Sequence, residues 1–70
     1  MNISEAFGRI LRQVRQDKGL TQERLGELAE LHRTYISLLE RGLRTPTLDV
    51  VFRLAESLGV SASDMVKKLE

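Results

Sequence analysis

The chain has no cysteine and no tryptophan, and Pro46 is its single proline. Without cysteine it can form neither a disulfide nor a thiolate metal site, which fits a reducing cytoplasm. Long apolar runs are also missing, and those present are too short to span a membrane. The first part of the chain lacks the apolar core of a signal peptide because basic residues interrupt it at Arg9, Arg12, Arg15 and Lys18. These absences predict a cytoplasmic protein without a membrane partner.

Motifs of catalysis and of ligand binding are missing as well. The sequence has no glycine-rich phosphate loop, no nucleophile beside a base and no pair of carboxylates at a useful spacing. His32 is the sole histidine, and one imidazole without cysteines or clustered carboxylates makes neither a metal site nor a catalytic pair. The sequence therefore predicts no enzyme activity, no cofactor, no metal and no small-molecule ligand.

Charge is nearly balanced, with a net value of +1, so strong general attraction to nucleic acid is not expected. Its distribution is less even. Between residues 31 and 45, Glu40 alone opposes Arg33, Arg41 and Arg44. A neutral protein with a locally basic edge suits contact with DNA along one strip, and an ordinary solvated surface explains the same charges equally well.

Apolar residues recur at helical three-and-four spacing and predict five short helices with no strand. The predicted inner face of the first helix comprises Ile3, Ala6, Phe7, Ile10, Leu11 and Val14. That of the fourth comprises Leu48, Val51, Phe52 (or Val50), Leu54, Ala55 and Leu58, and the fifth helix carries Met65, Val66 and Leu69. Predicted N-caps are Asn2, Thr21, Thr47 and Ser61, and glycine stops follow at Gly19, Gly42 and Gly59. The prediction is an all-α fold in one domain, residues 1–70.

The central part of the chain carries the most informative pattern, a fixed spacing of Gln22, Leu25, Gly26, Ala29, Leu31, Ile36 and Leu39. Gly26 falls inside a short helix, where glycine costs about 1 kcal/mol relative to alanine. Close approach by a second helix explains it, and we expect Ile36 and Leu39 to supply the approaching surface. Two short helices locked in this way form a helix-turn-helix, whose second helix can enter a DNA major groove.

Segments around this pattern are similar to a known family. Residues 20–42, with 46–48 and 58–60, resemble the phage-repressor and Cro type of helix-turn-helix domain, the group of xenobiotic-response-element-like bacterial regulators. The resemblance implies a compact five-helix lambda-repressor-like domain, with the helix-turn-helix at helices 2 and 3, that binds double-stranded DNA. Residues 32–37 are most similar to the controller proteins of restriction-modification systems.

The resemblance implies that the third helix enters the major groove N-terminus first. Because Ile36 and Leu39 face inward, the side chains expected to reach bases are Arg33, Thr34, Ser37 and Leu38. Arg33 is the best candidate for base readout, since arginine can bond guanine O6 and N7 together. Leu38 suits a thymine methyl group or packs against a neighbouring loop, and both alternatives stay open.

Contacts to the DNA backbone are implied by the same resemblance. Gln22 matches the family's phosphate-contacting glutamine, at a helix start that offers free N–H groups. The other candidates flank the two helices: Thr21, His32, Tyr35, Arg41, Arg44, Thr45 and Thr47. Alternatives remain for two of them, since Gln22 can be a capping surface residue and His32 a structural one. Phosphate contacts make binding fall steeply with salt.

Two further positions are expected to shape the domain rather than to touch DNA. The family pairs a residue of the first helix with one at the end of the third, which implies an ion pair between Arg15 and Glu40. Glu30 departs from the family pattern, because relatives usually carry glycine at this turn position. A non-glycine residue in a left-handed conformation there costs about 1–2 kcal/mol, so either the turn differs slightly in this chain or stability is given up.

One such domain covers too few base pairs to mark a unique genomic site, so the resemblance implies a two-fold dimer on half-sites about 34–36 Å apart. The candidate dimer residues are Leu58, Val60, Met65, Val66 and Leu69, although some of them must close the core of a single chain. The leading hypothesis is a sequence-specific transcriptional repressor. A restriction-modification controller that both activates and represses is the alternative within this class. An antitoxin or another protein-interaction module is the alternative of a different class.

Overall fold

The structure is a computed structural model that describes residues 2–70. Met1, the first residue of the predicted domain, lies outside the described residues. The helices are α1 (Ile3–Asp17), α2 (Gln22–Ala29), α3 (Arg33–Glu40), α4 (Leu48–Leu58) and α5 (Ala62–Lys67). No strand occurs over residues 2–70, so the predicted all-α fold is confirmed. None of these helices is long and apolar enough to cross a membrane.

The helix starts lie at the predicted caps. Asn2 and Glu5 form a reciprocal capping box on α1, and the side chains of Thr21, Thr47 and Ser61 each accept a backbone N–H in the first turn of their helices. The stops are also local, because Gly19, Gly42 and Gly59 all adopt the left-handed conformation just beyond a helix end. These short-range signals set where each helix begins and ends.

One core fills the space between the five helices. Its buried apolar residues are Phe7, Leu11, Val14, Leu25, Ala29, Ile36, Leu39, Val51, Leu54, Ala55, Leu58, Ala62 and Met65. Three residues predicted to face inward do not: Ile3, Leu48 and Phe52 are exposed, and Val50 packs against the core instead. Leu48 and Phe52 are four residues apart and form a second apolar stripe on α4, beside the stripe that faces the core.

The exposed stripe belongs to an apolar face that we define by Ile3, Leu48, Phe52, Val66 and Leu69. Four of these residues, all but Phe52, line a shallow hollow of about 200 Å³, and Phe52 lies one turn beyond Leu48. Two predicted dimer residues need a correction here, because Leu58 and Met65 are buried in the core of the single chain. Val66 is exposed, and Leu69 and Val60 are half-buried.

Glycine permits two close crossings. A Cβ atom on Gly26 would lie 2.5 Å from the carbonyl oxygen of Leu31, so the close approach inferred from the sequence is present. The approaching group is the backbone of the turn, however, and not the side chains of Ile36 and Leu39 as expected. Gly8, which the sequence pattern did not single out, lets α1 cross the end of α3, where a Cβ would meet the carbonyl oxygen of Glu40 at 2.7 Å.

The turn between α2 and α3 keeps the left-handed conformation, which is the second of the two alternatives for Glu30. Glu30 has φ 58° and ψ 42°, and within residues 2–70 it is the one non-glycine residue with a positive φ. Its conformation ends α2, and the N–H of Leu31 then returns to the carbonyl oxygen of Gly26 at 2.8 Å. Two residues after Leu31, α3 begins at Arg33.

Candidate nucleic-acid interface

The first turns of α2 and α3 meet at an open groove of about 570 Å³, which we call the α2–α3 groove. Its lining residues are Arg15, Thr21, Gln22, Glu23, Arg33, Thr34 and Ser37. Both helices turn their N-terminal ends, with their free N–H groups and partial positive charge, towards this region. The two helix ends therefore favour an anionic ligand, and the carboxylate of Glu23 in the same lining opposes one.

The outer surface of α3 is held in place from behind. Ile36 and Leu39 are fully buried, as the spacing predicted, so the opposite side of the helix faces solvent. Arg33 and Thr34 are exposed at its start, while Ser37 is half-buried. Leu38 is also half-buried, and both alternatives for its side chain stay open. A rigid helix with a free N-terminal end is the geometry that a major-groove reader needs.

A buried carboxylate organises the wall of the groove. Glu40 accepts from Arg15 Nε at 2.6 Å and Nη2 at 3.0 Å, so the pair is bidentate, as the family resemblance implied. Arg15 Nη1 also donates to the carbonyl oxygen of Leu20 at 2.8 Å. Hydrogen bonding to Glu40 raises the pKa of the Arg15 guanidinium above its ordinary value. The arginine therefore stays charged at any pH at which DNA binding is measured.

Gln22 joins the same network. Its Nε2 atom donates to Glu40 Oε1 at 3.1 Å, which fixes the direction of the side-chain amide. An amide nitrogen has two hydrogens, so the second remains able to donate to a phosphate oxygen. The structure thus orients the glutamine that the sequence predicted as a phosphate contact, and the residue that orients it is Glu40.

Several of the predicted backbone contacts are helix caps. His32 Nδ1 accepts from the N–H of Thr34 at 3.2 Å, so this histidine is the N-cap of α3. Nδ1 is then the acceptor nitrogen, which leaves Nε2–H as a donor towards solvent. Thr21 and Thr47 cap α2 and α4 through their hydroxyl oxygens, and each hydroxyl keeps its own hydrogen to donate. Capping and phosphate contact are therefore compatible.

The remaining candidates lie around the end of α3. Tyr35 is half-buried and packs against the core, and Arg41 and Arg44 are exposed. The hydroxyl of Thr45 is 2.5 Å from that of Ser4, which connects this loop to α1. The two arginines, placed just past the end of α3, form the basic edge that the charge distribution suggested.

One contact of the groove was not found from the sequence. Arg33 Nη1 lies 3.6 Å from Glu23 Oε2, an ion pair between the first turns of α3 and α2. The two residues are too far apart in sequence for a helical spacing rule to link them. Only the geometry of the turn brings them together. Over residues 2–70 no group of three or more histidine, aspartate and glutamate side chains could hold a metal ion.

Together these features define a helix-turn-helix DNA-binding domain: two short helices locked across a tight turn, the second exposed, with its N-terminal end at a groove that favours anions. The profile of a helix-turn-helix family matches residues 11–65. The chain belongs to this family, in its xenobiotic-response-element-like group, and is a DNA-binding transcriptional regulator. Sequence and structure here agree on the class of protein.

Three members of this family show strong similarity to the chain in sequence or in structure. It is 42% identical over 66 residues to the control protein C.BamHI of Bacillus amyloliquefaciens, covering 93% of this chain and 82% of that protein. The clp gene regulator ClgR of Corynebacterium glutamicum superposes with a TM-score of 0.94 and 32% identity, covering 99% of this chain and 73% of that one. The restriction-modification controller protein C.AhdI of Aeromonas hydrophila gives a TM-score of 0.86 and 37% identity, covering 89% and 94%.

Proposed function

We propose that this regulator binds a palindromic operator as a homodimer, with α3 of each protomer in the major groove, and represses transcription by occluding a promoter. The observation that carries the proposal is the exposed start of α3, where Arg33 and Thr34 face solvent while Ile36 and Leu39 anchor the helix from behind. Side chains on a fixed helix can read base edges because they lose little freedom on binding.

In this proposal the base contacts come from one face of α3: Arg33, Thr34, Ser37 and Leu38. The backbone contacts surround them and set the register on the duplex. They come from Thr21, Gln22, His32, Tyr35, Arg41, Arg44, Thr45 and Thr47. Support for this division is the position of the groups, since those at helix starts and in the loop after α3 offer N–H, O–H or guanidinium donors of the kind that phosphates accept.

The apolar face is the proposed dimer surface. Leu48 is 75% exposed and Phe52 is 62% exposed, and large apolar side chains at this exposure favour burial against a second surface. Val66 and Leu69, which the sequence predicted for dimerisation, border the same hollow. The surface therefore includes α4 and the start of α1 in addition to α5.

Dimerisation through this face can be measured by analytical ultracentrifugation of the free chain. Leu48→Glu places a charge at the centre of the proposed interface and is expected to give a monomer under conditions in which the unchanged chain is a dimer. Leu28→Glu is the matched control, because Leu28 is an exposed apolar residue of α2 outside the apolar face. If both variants remain dimeric, the apolar face is not the interface.

A second candidate function is control of a restriction-modification system, with activation at one site and repression at another. The similarity to C.BamHI over nearly the full chain, together with that to C.AhdI, favours it. The run from His32 to Ser37, at the start of the proposed recognition helix, carried the same resemblance at the level of sequence. The two functions share one DNA-binding mode and differ in the arrangement of operators.

Selection of binding sites from a pool of random duplexes, at fixed near-physiological salt, tests the proposal. Enrichment of a palindrome with half-sites about 34–36 Å apart is expected, because each protomer presents one recognition helix. Salt-sensitive binding without any enriched sequence would contradict sequence-specific recognition. An enriched single half-site without symmetry would contradict the dimer but leave the recognition helix in place.

A further inference from the structure

The ion pair between Glu23 and Arg33 lies in the part of the molecule that the proposed function assigns to DNA. Arg33 is the first residue of α3, and Glu23 is the second residue of α2. Their side chains are 67% and 69% exposed, and Nη1 and Oε2 are 3.6 Å apart. The contact is therefore a single, solvated one that another acceptor can displace.

Both arginines that line the α2–α3 groove are paired with carboxylates in the free protein. Arg15 and Arg33 are its cations. Arg15 is committed to the buried carboxylate of Glu40, and Arg33 is paired with Glu23. A phosphate that approaches the groove thus meets no uncompensated arginine among its lining residues. It also meets the exposed carboxylate of Glu23, which repels it.

We propose that Glu23 weakens DNA binding, because its carboxylate competes with DNA phosphates for Arg33 and must release Arg33 before it reaches a guanine edge. The inference rests on the proposed function and adds a residue that makes no favourable contact with DNA. An exposed ion pair favours the paired state over the separated one by about 1.4- to 5-fold. One phosphate oxygen binds Arg33 little more tightly than the carboxylate of Glu23 does. Guanine accepts from Arg33 at O6 and N7 together, and such a bidentate contact favours the correct base over a wrong one by about 5- to 150-fold in affinity.

The competition weakens binding to random sequence and to the operator. On random sequence Arg33 gains nothing by leaving Glu23, so non-specific binding stays weak. On the operator the bidentate contact exceeds the ion pair and Arg33 is released, but breaking the ion pair lowers the operator affinity by about 1.4- to 5-fold. Glu23 therefore lowers the affinity for the operator and for random sequence alike, and it does not raise the ratio between the two affinities.

A purely local role for Glu23 makes a different prediction. A carboxylate in the first turn of a helix stabilises that helix through its dipole. Glu23→Gln would then lower the thermal stability slightly, and any effect on DNA binding would not depend on Arg33. The two roles separate in a double-mutant cycle between Glu23 and Arg33, measured on DNA binding rather than on stability.

The experiment uses fluorescence anisotropy with a labelled mixed-sequence duplex that lacks the selected operator. Glu27→Gln is the control for Glu23→Gln, because Glu27 lies one turn further along α2, pairs with Arg24 and changes the net charge equally. We expect Glu23→Gln to bind this duplex about 1.4- to 5-fold more tightly than Glu27→Gln. The slope of log affinity against log salt should become steeper by about one released counterion. With Arg33→Ala in both chains, the two variants should bind alike.

The outcomes distinguish this inference from the proposed function. Equal binding by the two variants overturns the role of Glu23 while leaving DNA binding intact. An increase for Glu23→Gln that persists with Arg33→Ala overturns competition for Arg33, because the effect is then general repulsion of phosphate by Glu23. If the unchanged chain binds no duplex at any salt concentration, the proposed function fails and the inference fails with it. Thermal unfolding of each variant verifies that it is folded.

Discussion

Replacing Glu30 with glycine removes the left-handed side chain from the turn between α2 and α3. A side chain at φ 58° costs about 1–2 kcal/mol relative to a right-handed conformation, and glycine avoids this cost. Glycine also adds freedom to the unfolded chain, which removes about 0.4–1 kcal/mol of the gain. The backbone effect alone is therefore a stabilisation of about 0–1.5 kcal/mol.

A second effect of the same substitution must be separated from the first. Glu30 is the C-cap of α2, where a negative charge opposes the helix dipole by about 0.3–1 kcal/mol. Glu30→Ala removes this charge but keeps a Cβ atom in the left-handed region. The difference between Glu30→Gly and Glu30→Ala therefore reports the backbone effect and not the charge.

The assay is thermal unfolding followed by circular dichroism at one protein concentration and one salt concentration. For a domain of this size 1 kcal/mol shifts Tm by about 4–8 °C, so Glu30→Gly should have a Tm equal to that of Glu30→Ala or up to about 10 °C higher. Both should be at least as stable as the unchanged chain. A Tm of Glu30→Gly clearly below that of Glu30→Ala would refute the turn geometry described above.

Three further substitutions test other parts of the structure. Gly26→Ala should destabilise the chain by about 1–3 kcal/mol in chemical denaturation, despite better helix propensity, because its Cβ overlaps the turn carbonyl oxygen; unchanged stability would contradict the close approach. Arg15→Met should destabilise the chain by about 3–5 kcal/mol, because the side chain of Glu40 is 3% exposed and a buried carboxylate without its partner is costly. The double variant Arg15→Met with Glu40→Leu should lose less stability, and additive effects of the two substitutions would refute the coupling. On the selected operator, Arg33→Ala should relax one base position, whereas Arg44→Ala should weaken all sequences alike and lower the salt slope by about 1.

Local signals explain why the helices could be predicted closely. A cap such as Thr21 and a stop such as Gly59 act over three or four residues, so both can be identified without knowledge of the rest of the fold. Glu30 was identified in another way, because the family resemblance implies a glycine with left-handed angles at this turn position. The element boundaries and the left-handed turn follow from interactions within one stretch of chain.

The side of a helix that meets the core is harder to predict. On α4 the apolar residues cover more of the circumference than the core can receive, and periodicity alone placed Leu48 and Phe52 inside. The neighbouring helices decide which stripe is buried, and their positions are not encoded in α4. The same limit applies to Leu58 and Met65. The sequence alone did not decide whether they belong to the core or to a dimer surface, and the structure places both in the core.

The two arginines of the α2–α3 groove pair with carboxylates that differ in burial: Arg15 with Glu40, and Arg33 with Glu23. Glu40 is enclosed and satisfied by Arg15 and Gln22, so exchanging those bonds for DNA would leave a buried charge without a partner. Glu23 is open to water, and losing Arg33 returns its carboxylate to solvent at little cost. We therefore expect Gln22 to reach phosphate with its bond to Glu40 intact, while Arg33 leaves Glu23 in order to reach a base. Of the two pairs, only the exposed one can respond to DNA sequence.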